Sequence, residues 1–457
     1  MTPVKSIVAM ENSFHAYSPE IVARRERLLL VLAAAFVILN RLSLLLVRQE
    51  SLTALWPLVV WAACAGLMHL ALNTLLPWRD PYIVPITLLL SGWGLTLVTR
   101  LAPAFAVRQT IWLLLSTAAA TAIAVLHPRL RLLRRYRYTW LLVGLALLGL
   151  TIVFGVNPSG DIYAPRLWLG FGAMFFQPSE PLRLLMIVFL ASYLADKREM
   201  IVTEQTRVGR WSIPSLPYLS PMLLMWGFCM VLLIWQRDLG TASLFFLIFL
   251  AMLYVSTSQV GYVLGGVMLL GLAGSVGYVL YGVVRLRVDT WLNPWPEASD
   301  RAFQIVQSLL AVAAGGLIGQ GVGQGVPTYV PVVHSDFVFV AIAEEWGLAG
   351  ALAVVACLAI LVLRALRIAT QSSQHPFRCL LAVGIGISIG IQSLLIMAGT
   401  LKITPLTGVT LPFLSYGGSS LLSNFVMIGL LLRLSDSETL PRRLFPVPGQ
   451  PRSDFSP

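Results

Sequence analysis

The chain has 457 residues, 57% of them hydrophobic and only 11% charged, with a mean hydropathy of +0.81. Soluble domains carry roughly 25% charged residues, so this composition excludes a soluble globular protein and places the chain in a membrane. The net charge of +12 is read through the preference of Lys and Arg for cytoplasmic loops, not as an affinity for nucleic acid.

Residues 1–27 are polar and basic, end in "ARRERLLL", and are expected to form a cytoplasmic tail. The apolar run that follows is about 20 residues long and lacks an A-x-A-like exit, so it reads as a true transmembrane helix and not a cleaved signal. A hydrocarbon core of about 30 Å needs roughly 17–25 apolar residues. About twelve such runs follow in order: 28–47, 52–76, 82–98, 108–126, 138–155, 175–195, 219–235, 239–255, 260–281, 338–363, 378–399 and 408–432. The seventh and eighth meet at "WQRDLGTA" and predict a tight hairpin.

With the N-terminus inside, the basic segments "HPRLRLLRRYRY", "DKREM…TRVGR", "RALRIATQSSQHPFR" and the tail 435–457, with Arg442 and Arg443, fall on the cytoplasmic side, as the positive-inside rule expects. The fold class expected is an all-α integral membrane protein with about twelve transmembrane helices and both termini cytoplasmic. Between spans nine and ten lies a large extracytoplasmic loop, 282–337. Its length and turn-rich ends point to function. Its apolar middle, "QIVQSLLAVAAGGLIGQG", predicts a short helix lying at the interface or re-entering. Cys64, Cys229, Cys357 and Cys379 sit in or beside apolar runs and read as small buried hydrophobes.

Charge within a span is costly and is a functional hypothesis by default. Glu180 and Arg183 share one face of the sixth span, about 8–12 Å below its outer end at 1.5 Å per residue. Arg237 and Asp238 close the outer ends of spans seven and eight. Asp336 sits at the mouth of the tenth, with Glu344 and Glu345 about two turns below it, and Lys402 closes the eleventh. All map to the outer half. Cations at that boundary suit a phosphate or pyrophosphate headgroup. Carboxylates beside them suit a general base, or a divalent cation bridging to the pyrophosphate. There is no Walker loop, zinc motif or Ser-His-Asp order, and "GQGVGQG" lacks the strand–helix setting of a nucleotide site. His334 reads first as a capping or hydrogen-bonded histidine, with a ligand or base role as the alternative. Arg166 is a candidate for phosphate contact, and Trp168 beside it either stacks on a sugar or belongs to an interfacial belt.

At "FQPSE" (Phe176–Glu180), "QRDLGTA" (Gln236–Ala242), "FQIVQSLLAVAAGGLIGQGVGQG", "VHSDFVFVAIAEEWGLAG" and "PLTGVTLPFLSYGGSS" (Pro405–Ser420) the chain resembles the SEDS proteins of shape, elongation, division and sporulation, the RodA and FtsW family. The resemblance runs from about residue 82 to 434. It implies a multi-pass glycosyltransferase of the bacterial cytoplasmic membrane that polymerises lipid II outside the membrane and releases undecaprenyl pyrophosphate. It also implies a class B penicillin-binding protein as partner, a divalent cation (Mg2+ or Mn2+) as cofactor and no organic cofactor. The family core has ten spans, which leaves 28–76 as two additional helices.

In the family the outer loop carries an essential Asp after Asn-Pro-Trp. Aligned without a gap on "NPW" and "QIVQS", that position is Glu297 here, with Asp300 three residues on; these two are the catalytic candidates. The resemblance and the charge map together propose Arg166, Glu180, Arg183, Asp238, Arg301, His334, Asp336, Glu344, Lys402 and Ser415 as substrate contacts. Two positions depart from the family: Arg183 replaces a lysine and Arg237 replaces a proline. The alternative readings are a lipid II flippase, which needs a midplane path and repeat symmetry that the sequence does not display, and a catalytically silent scaffold for the transpeptidase.

Overall fold

The structure is a computed structural model and describes residues 18–126, 130–158, 165–172, 174–203, 205–208, 211–214 and 216–436. Most of the two expected tails, 1–17 and 437–457, lies outside the described residues.

Helix α1 (Pro19–Arg48) starts where Ser18 Oγ accepts from Ile21 N and Pro19 supplies a preset φ. It stops at Gln49, which is left-handed at φ 52°. A 3-10 turn, Leu52–Leu55, leads into α2 (Trp56–Leu75). Then come α3 (Ile83–Leu101), α4 (Ala106–Val125), the short α5 (Leu130–Arg135) and α6 (Arg137–Phe154). A hairpin of β1 (Leu169–Phe171) and β2 (Met174–Phe176), pairing Leu169 with Phe176, precedes α7 (Ser179–Thr203). A second hairpin, β3 (Gln205–Val208) with β4 (Trp211–Pro214), precedes α8 (Leu216–Trp235). The remaining helices are α9 (Leu239–Thr257), α10 (Val260–Leu280), α11 (Gly282–Leu292), α12 (Phe303–Gly315), α13 (Val338–Gln371), α14 (Pro376–Thr400) and α15 (Gly418–Ser435).

Among the described residues ten helices are long and apolar enough to cross a membrane: α1, α2, α3, α4, α6, α9, α10, α13, α14 and α15. The two other expected spans are helical as well. α7 carries Glu180 and Arg183 near its start and Asp196 to Glu199 near its end, and α8 is the seventh. The tight hairpin between α8 and α9 and the short helix α12 stand where the sequence placed them. The expected all-α class holds, with two short β-hairpins in the connections. One expectation shifts. The last span begins at Gly418 and not near 408: Pro405, Gly408, Pro412 and the left-handed Phe413 (φ 66°) hold 405–417 as a loop.

α3 is central, with 83% of its apolar stretch buried, whereas α10 is only 6% buried and turns its side chains outward. Around α3 pack α1 and α13; α4 packs on α15 and α2, and α7 on α14, α9 and α6. The two N-terminal helices are fastened by specific contacts. Trp61 of α2 donates to Leu88 O at 3.0 Å, and its ring lies so close to Gly92 that a Cβ there would sit 2.7 Å away. Glu26 of α1 accepts from Arg79 Nε and Nη2 at 2.7 and 2.5 Å, and its Oε1 lies 2.7 Å from His69 Nδ1 of α2. A buried charge is tolerable when every oxygen and proton finds a partner, and this carboxylate is fully engaged. At the same end Asp80 pairs with Arg364 of α13, and its backbone N–H donates to Ser435 Oγ at 3.0 Å.

Candidate active site

At the other end, where α3, α6, α8 and α14 finish and α4, α7, α9, α13 and α15 begin, a cavity of about 750 Å³ opens. Each neighbouring helix contributes an end because consecutive helices run antiparallel, so motif residues far apart in sequence arrive together. Of the residues proposed from sequence, Glu180, Arg183, Asp238, His334 and Asp336 line it.

Arg183 is 1% exposed and is held from three sides. It donates to Gln392 Oε1 of α14 and to Asn424 Oδ1 of α15 (3.3 Å), and it pairs with Glu180 Oε2 at 3.1 Å. Gln392 is in turn fixed by donating to Thr410 O at 2.8 Å, and Asn424 by donating to Ser420 O at 2.8 Å. The guanidinium is therefore an immobile cation beside the cavity.

Asp238 caps α9, its Oδ1 accepting from Thr241 N at 3.2 Å, while Oδ2 is buried without a hydrogen-bond partner. Burial pushes this carboxyl above the usual range, opposed by the Thr241 bonds and aggravated by Glu180 nearby. Asp336 accepts from Ser335 Oγ at 2.9 Å, and burial raises it too, against the Ser335 bond and the charge of Arg287. Arg287, on α11, bears on both carboxylates and lies within reach of Thr407 O at 3.5 Å. The backbone before Asp238 explains one departure from the family: Arg237 has φ 59°, which proline cannot adopt.

The cavity wall opposite is aromatic. Phe105 stacks on Tyr416 at 4.6 Å and lies 5.1 Å from the His334 ring; Arg108 sits 5.5 Å over Phe105 and 5.9 Å over Phe175. Burial holds the His334 imidazole below its ordinary value. Two loops are stitched together behind it: Tyr416 N donates to His334 O at 2.8 Å, and Ser415 Oγ donates to Ser335 O while accepting from Leu411 N. Ser415 is thus a fastener of the wall and does not line the cavity.

The other proposed residues lie elsewhere. Glu344 accepts from Val326 N at 2.8 Å, and its neighbour Glu345 pairs with Arg100, which also donates to Gly325 O. These groups buttress the 316–326 loop against the break in α13 at Gly347 (φ 63°). Lys402 is left-handed (φ 58°), and its carbonyl accepts from Trp291 Nε1 at 3.2 Å. Arg166 is exposed between the lining residues Pro165 and Leu167. Glu297 and Asp300 are exposed on the turn after α11; Glu297 meets Arg301 at 3.9 Å with both side chains about half open to solvent (48% and 62%). Sequence reasoning missed Arg108, Arg287, Gln392 and the Phe105–Tyr416 pair. Arg108 had a signal, since it is an arginine in a region assigned to the outside, against the charge bias of the chain.

A resident divalent ion does not fit this set. No group of three His, Cys, Asp or Glu side chains able to hold a metal occurs among the described residues, and the two buried aspartates already face Arg287.

A polytopic helical membrane protein whose helix ends enclose a cavity of fixed arginines, raised carboxyls and aromatic rings has a lining suited to an anionic ligand. A family model described as cell cycle protein, covering FtsW, RodA and SpoVE, matches residues 86–440, and the chain belongs to that family. It is 32% identical over 445 residues to the peptidoglycan glycosyltransferase RodA of Mycobacterium tuberculosis, covering 94% of each chain. It is 35% identical over 305 residues to the probable peptidoglycan glycosyltransferase FtsW of Geobacter sulfurreducens, covering 66% of this chain and 78% of that protein. Among solved structures it resembles a chain from a study of how a peptidoglycan synthase complex coordinates polymerization and crosslinking, at 25% identity and TM-score 0.64 over 79% of this chain and 99% of that one. It shares its fold with the rod shape determining protein RodA of Thermus thermophilus, at 24% identity and TM-score 0.56 over 79% and 98%. The mycobacterial match leaves only 6% of this chain uncovered, fewer residues than 28–76 contain. The matched region therefore extends into 28–76.

Proposed function

We propose that this chain is a peptidoglycan glycosyltransferase of the bacterial cytoplasmic membrane. It transfers lipid-linked disaccharide-peptide units (lipid II) to a growing glycan strand on the extracytoplasmic side, in elongation or division. The observation that carries the reading is the convergence of Glu180, Arg183, Asp238, His334 and Asp336 on one cavity at a single end of the bundle. Relatives over nearly the whole chain carry that activity in their names.

In the reaction the acceptor sugar's 4-hydroxyl attacks the anomeric carbon of the growing chain. A C–O bond forms there as the bond to the pyrophosphate breaks, and the hydroxyl proton passes to a carboxylate. Undecaprenyl pyrophosphate leaves with negative charge, which fixed arginines stabilise best when they need no reorganisation. Arg183 meets that requirement, and Arg108 over its aromatic rings offers a second cation at the wall. Glu297 is assigned as the base, with Asp300 as its alternate. It is exposed, only loosely paired with Arg301, and carried on the turn that α11 anchors through Arg287 and Trp291. A divalent cation would enter as a companion of the substrate pyrophosphate. The partner is a class B penicillin-binding protein that crosslinks the product; a peptidoglycan synthase complex among the structural neighbours supports this. The flippase and silent-scaffold readings have no comparable support.

The test uses purified full-length protein with its cognate transpeptidase, labelled lipid II and Mg2+, and a gel for glycan polymer. Glu297→Ala is expected to lose about 100-fold or more in rate, and Asp300→Ala less than about tenfold. Polymer formed at the parental rate by both variants would overturn the base assignment. Lipid translocation without polymer would overturn the enzyme.

A further inference from the structure

At the end of the bundle opposite the active-site cavity, α5, the start of α6 and the last turns of α7 enclose a cleft of about 360 Å³. It is lined by Arg131, Arg134, Arg135, Arg137, Tyr138 and Asp196. Four guanidiniums face one carboxylate. Asp196 is already engaged by Arg134 at 2.5 Å and by Arg137, and Arg137 also donates to Ser192 O and Oγ at 3.1 and 3.0 Å. Arg131 and Arg135 therefore meet no further acidic side chain among the residues lining the cleft. The positive field extends beyond it: Arg131 and Arg433 both bear on Arg378 at the start of α14, offset there by Asp436. Like charges gathered at a low-dielectric boundary repel, and an anion placed among them relieves that repulsion.

What surrounds the cleft defines the anion. Tyr136, Tyr138 and Trp140 are exposed immediately along α6, and Leu142 and Val143 are exposed one turn further. Aromatic residues followed by outward-facing aliphatics mark the passage from headgroup level into hydrocarbon. A ligand seated on Arg131 and Arg135 thus has its charged end at the headgroup layer and an apolar helix face beside it. Guanidiniums hold phosphate oxygens bidentately, and basic pockets at this level suit lipid phosphates.

We propose that this cleft binds the headgroup of an anionic phospholipid, its phosphate held by Arg131 and Arg135 and its acyl chains lying along the exposed face of α6. The leaflet concerned is the one away from the active-site cavity.

Native mass spectrometry of the full chain in neutral detergent, titrated with phosphatidylglycerol or phosphatidylcholine, reads the retained lipid. Phosphatidylglycerol is expected to be retained as a one-to-one adduct that survives activation better than phosphatidylcholine. The paired substitution Arg131→Ala/Arg135→Ala is expected to weaken it about tenfold, while Arg27→Ala, an exposed arginine on α1, leaves it unchanged. Arg131→Lys/Arg135→Lys keeps the charge and is expected to retain the adduct to within a few-fold, which separates a lost contact from a fold defect. Equal retention of the two lipids, or retention indifferent to the double alanine change, overturns the proposal. Displacement of the lipid by millimolar glycerol phosphate would make the site one for soluble phosphate esters and overturn the lipid assignment.

Discussion

Asp238 and Asp336 both feel one guanidinium: the charge of Arg287, on α11, bears on each carboxyl. The two acids come from the cap of α9 and from the loop before α13, and burial raises both. The charge of Arg287 opposes that rise at both carboxyls. Removing one partner of a desolvated set leaves the others uncompensated, at about 1–3 kcal/mol. Arg287→Ala is expected to lower the melting temperature of the purified protein and to cut polymer formation more than tenfold, with Arg287→Lys recovering part of both. Unchanged melting and activity in the alanine variant would show that the aspartates do not depend on this arginine.

Arg183 separates charge from geometry. A lysine, the residue usual in the family, would keep the charge but lacks the separate Nη1 and Nη2 donors that Arg183 gives to Gln392 and Asn424. Arg183→Lys is expected to cost about tenfold in kcat/KM, in line with the roughly 1–2 kcal/mol lost when hydrogen bonds from a charged donor go unmade. Arg183→Met, which also strands Glu180, is expected to cost more. Parental rates in the lysine variant would mean that position and charge suffice.

The pH dependence of stability turns on His334. Burial holds its folded pKa below the ordinary value of about 6.5. As pH falls through that value the unfolded chain takes up a proton before the folded one does, so stability is lost on acidification. Asp336 acts oppositely: its raised carboxyl holds a proton more readily in the folded state, so its unfavourable contribution at neutral pH is relieved as pH falls towards the carboxylate range. The His334 contribution is isolated by comparison: between pH 7.5 and 5.5 the melting temperature should fall more, or rise less, in the parent than in His334→Phe, which keeps a ring against Phe105 and Tyr416. An equal slope in both proteins would remove His334 as the cause.

Gly240 sits against the loop that walls the cavity. A Cβ there would stand 2.0 Å from Thr407 O, a backbone atom that cannot swing aside. Gly240→Ala must push 405–417 away from α9, and overpacking of this kind costs about 1–3 kcal/mol. The expected result is a lower melting temperature together with weakened polymerisation. A variant with parental values for both would show that the loop yields freely.

Much of the site was legible because charges in apolar runs are few. Reading spans by length and alternating their direction put Glu180, Arg183, Asp238, His334 and Asp336 at one end, and all five line the cavity. The same reasoning chose Glu344, which instead holds Val326 N, because periodicity says which face a residue occupies but not which loop packs against it. Arg287 was not singled out in the sequence; only the return of α11 to the helix ends brings its charge to bear on two aspartates. The β1–β2 hairpin was not anticipated: its second strand, Met174–Phe176, overlaps residues read as the start of the sixth span.

By itself the sequence determined the membrane class, the order of the helices and the family, because hydropathy, span length and motif spacing are local properties of the chain. Tertiary structure alone decided which charges meet. Arg183 finds its partners on α14 and α15, more than two hundred positions away, and a buried ion is stabilised by neighbours in space, whatever their distance along the chain.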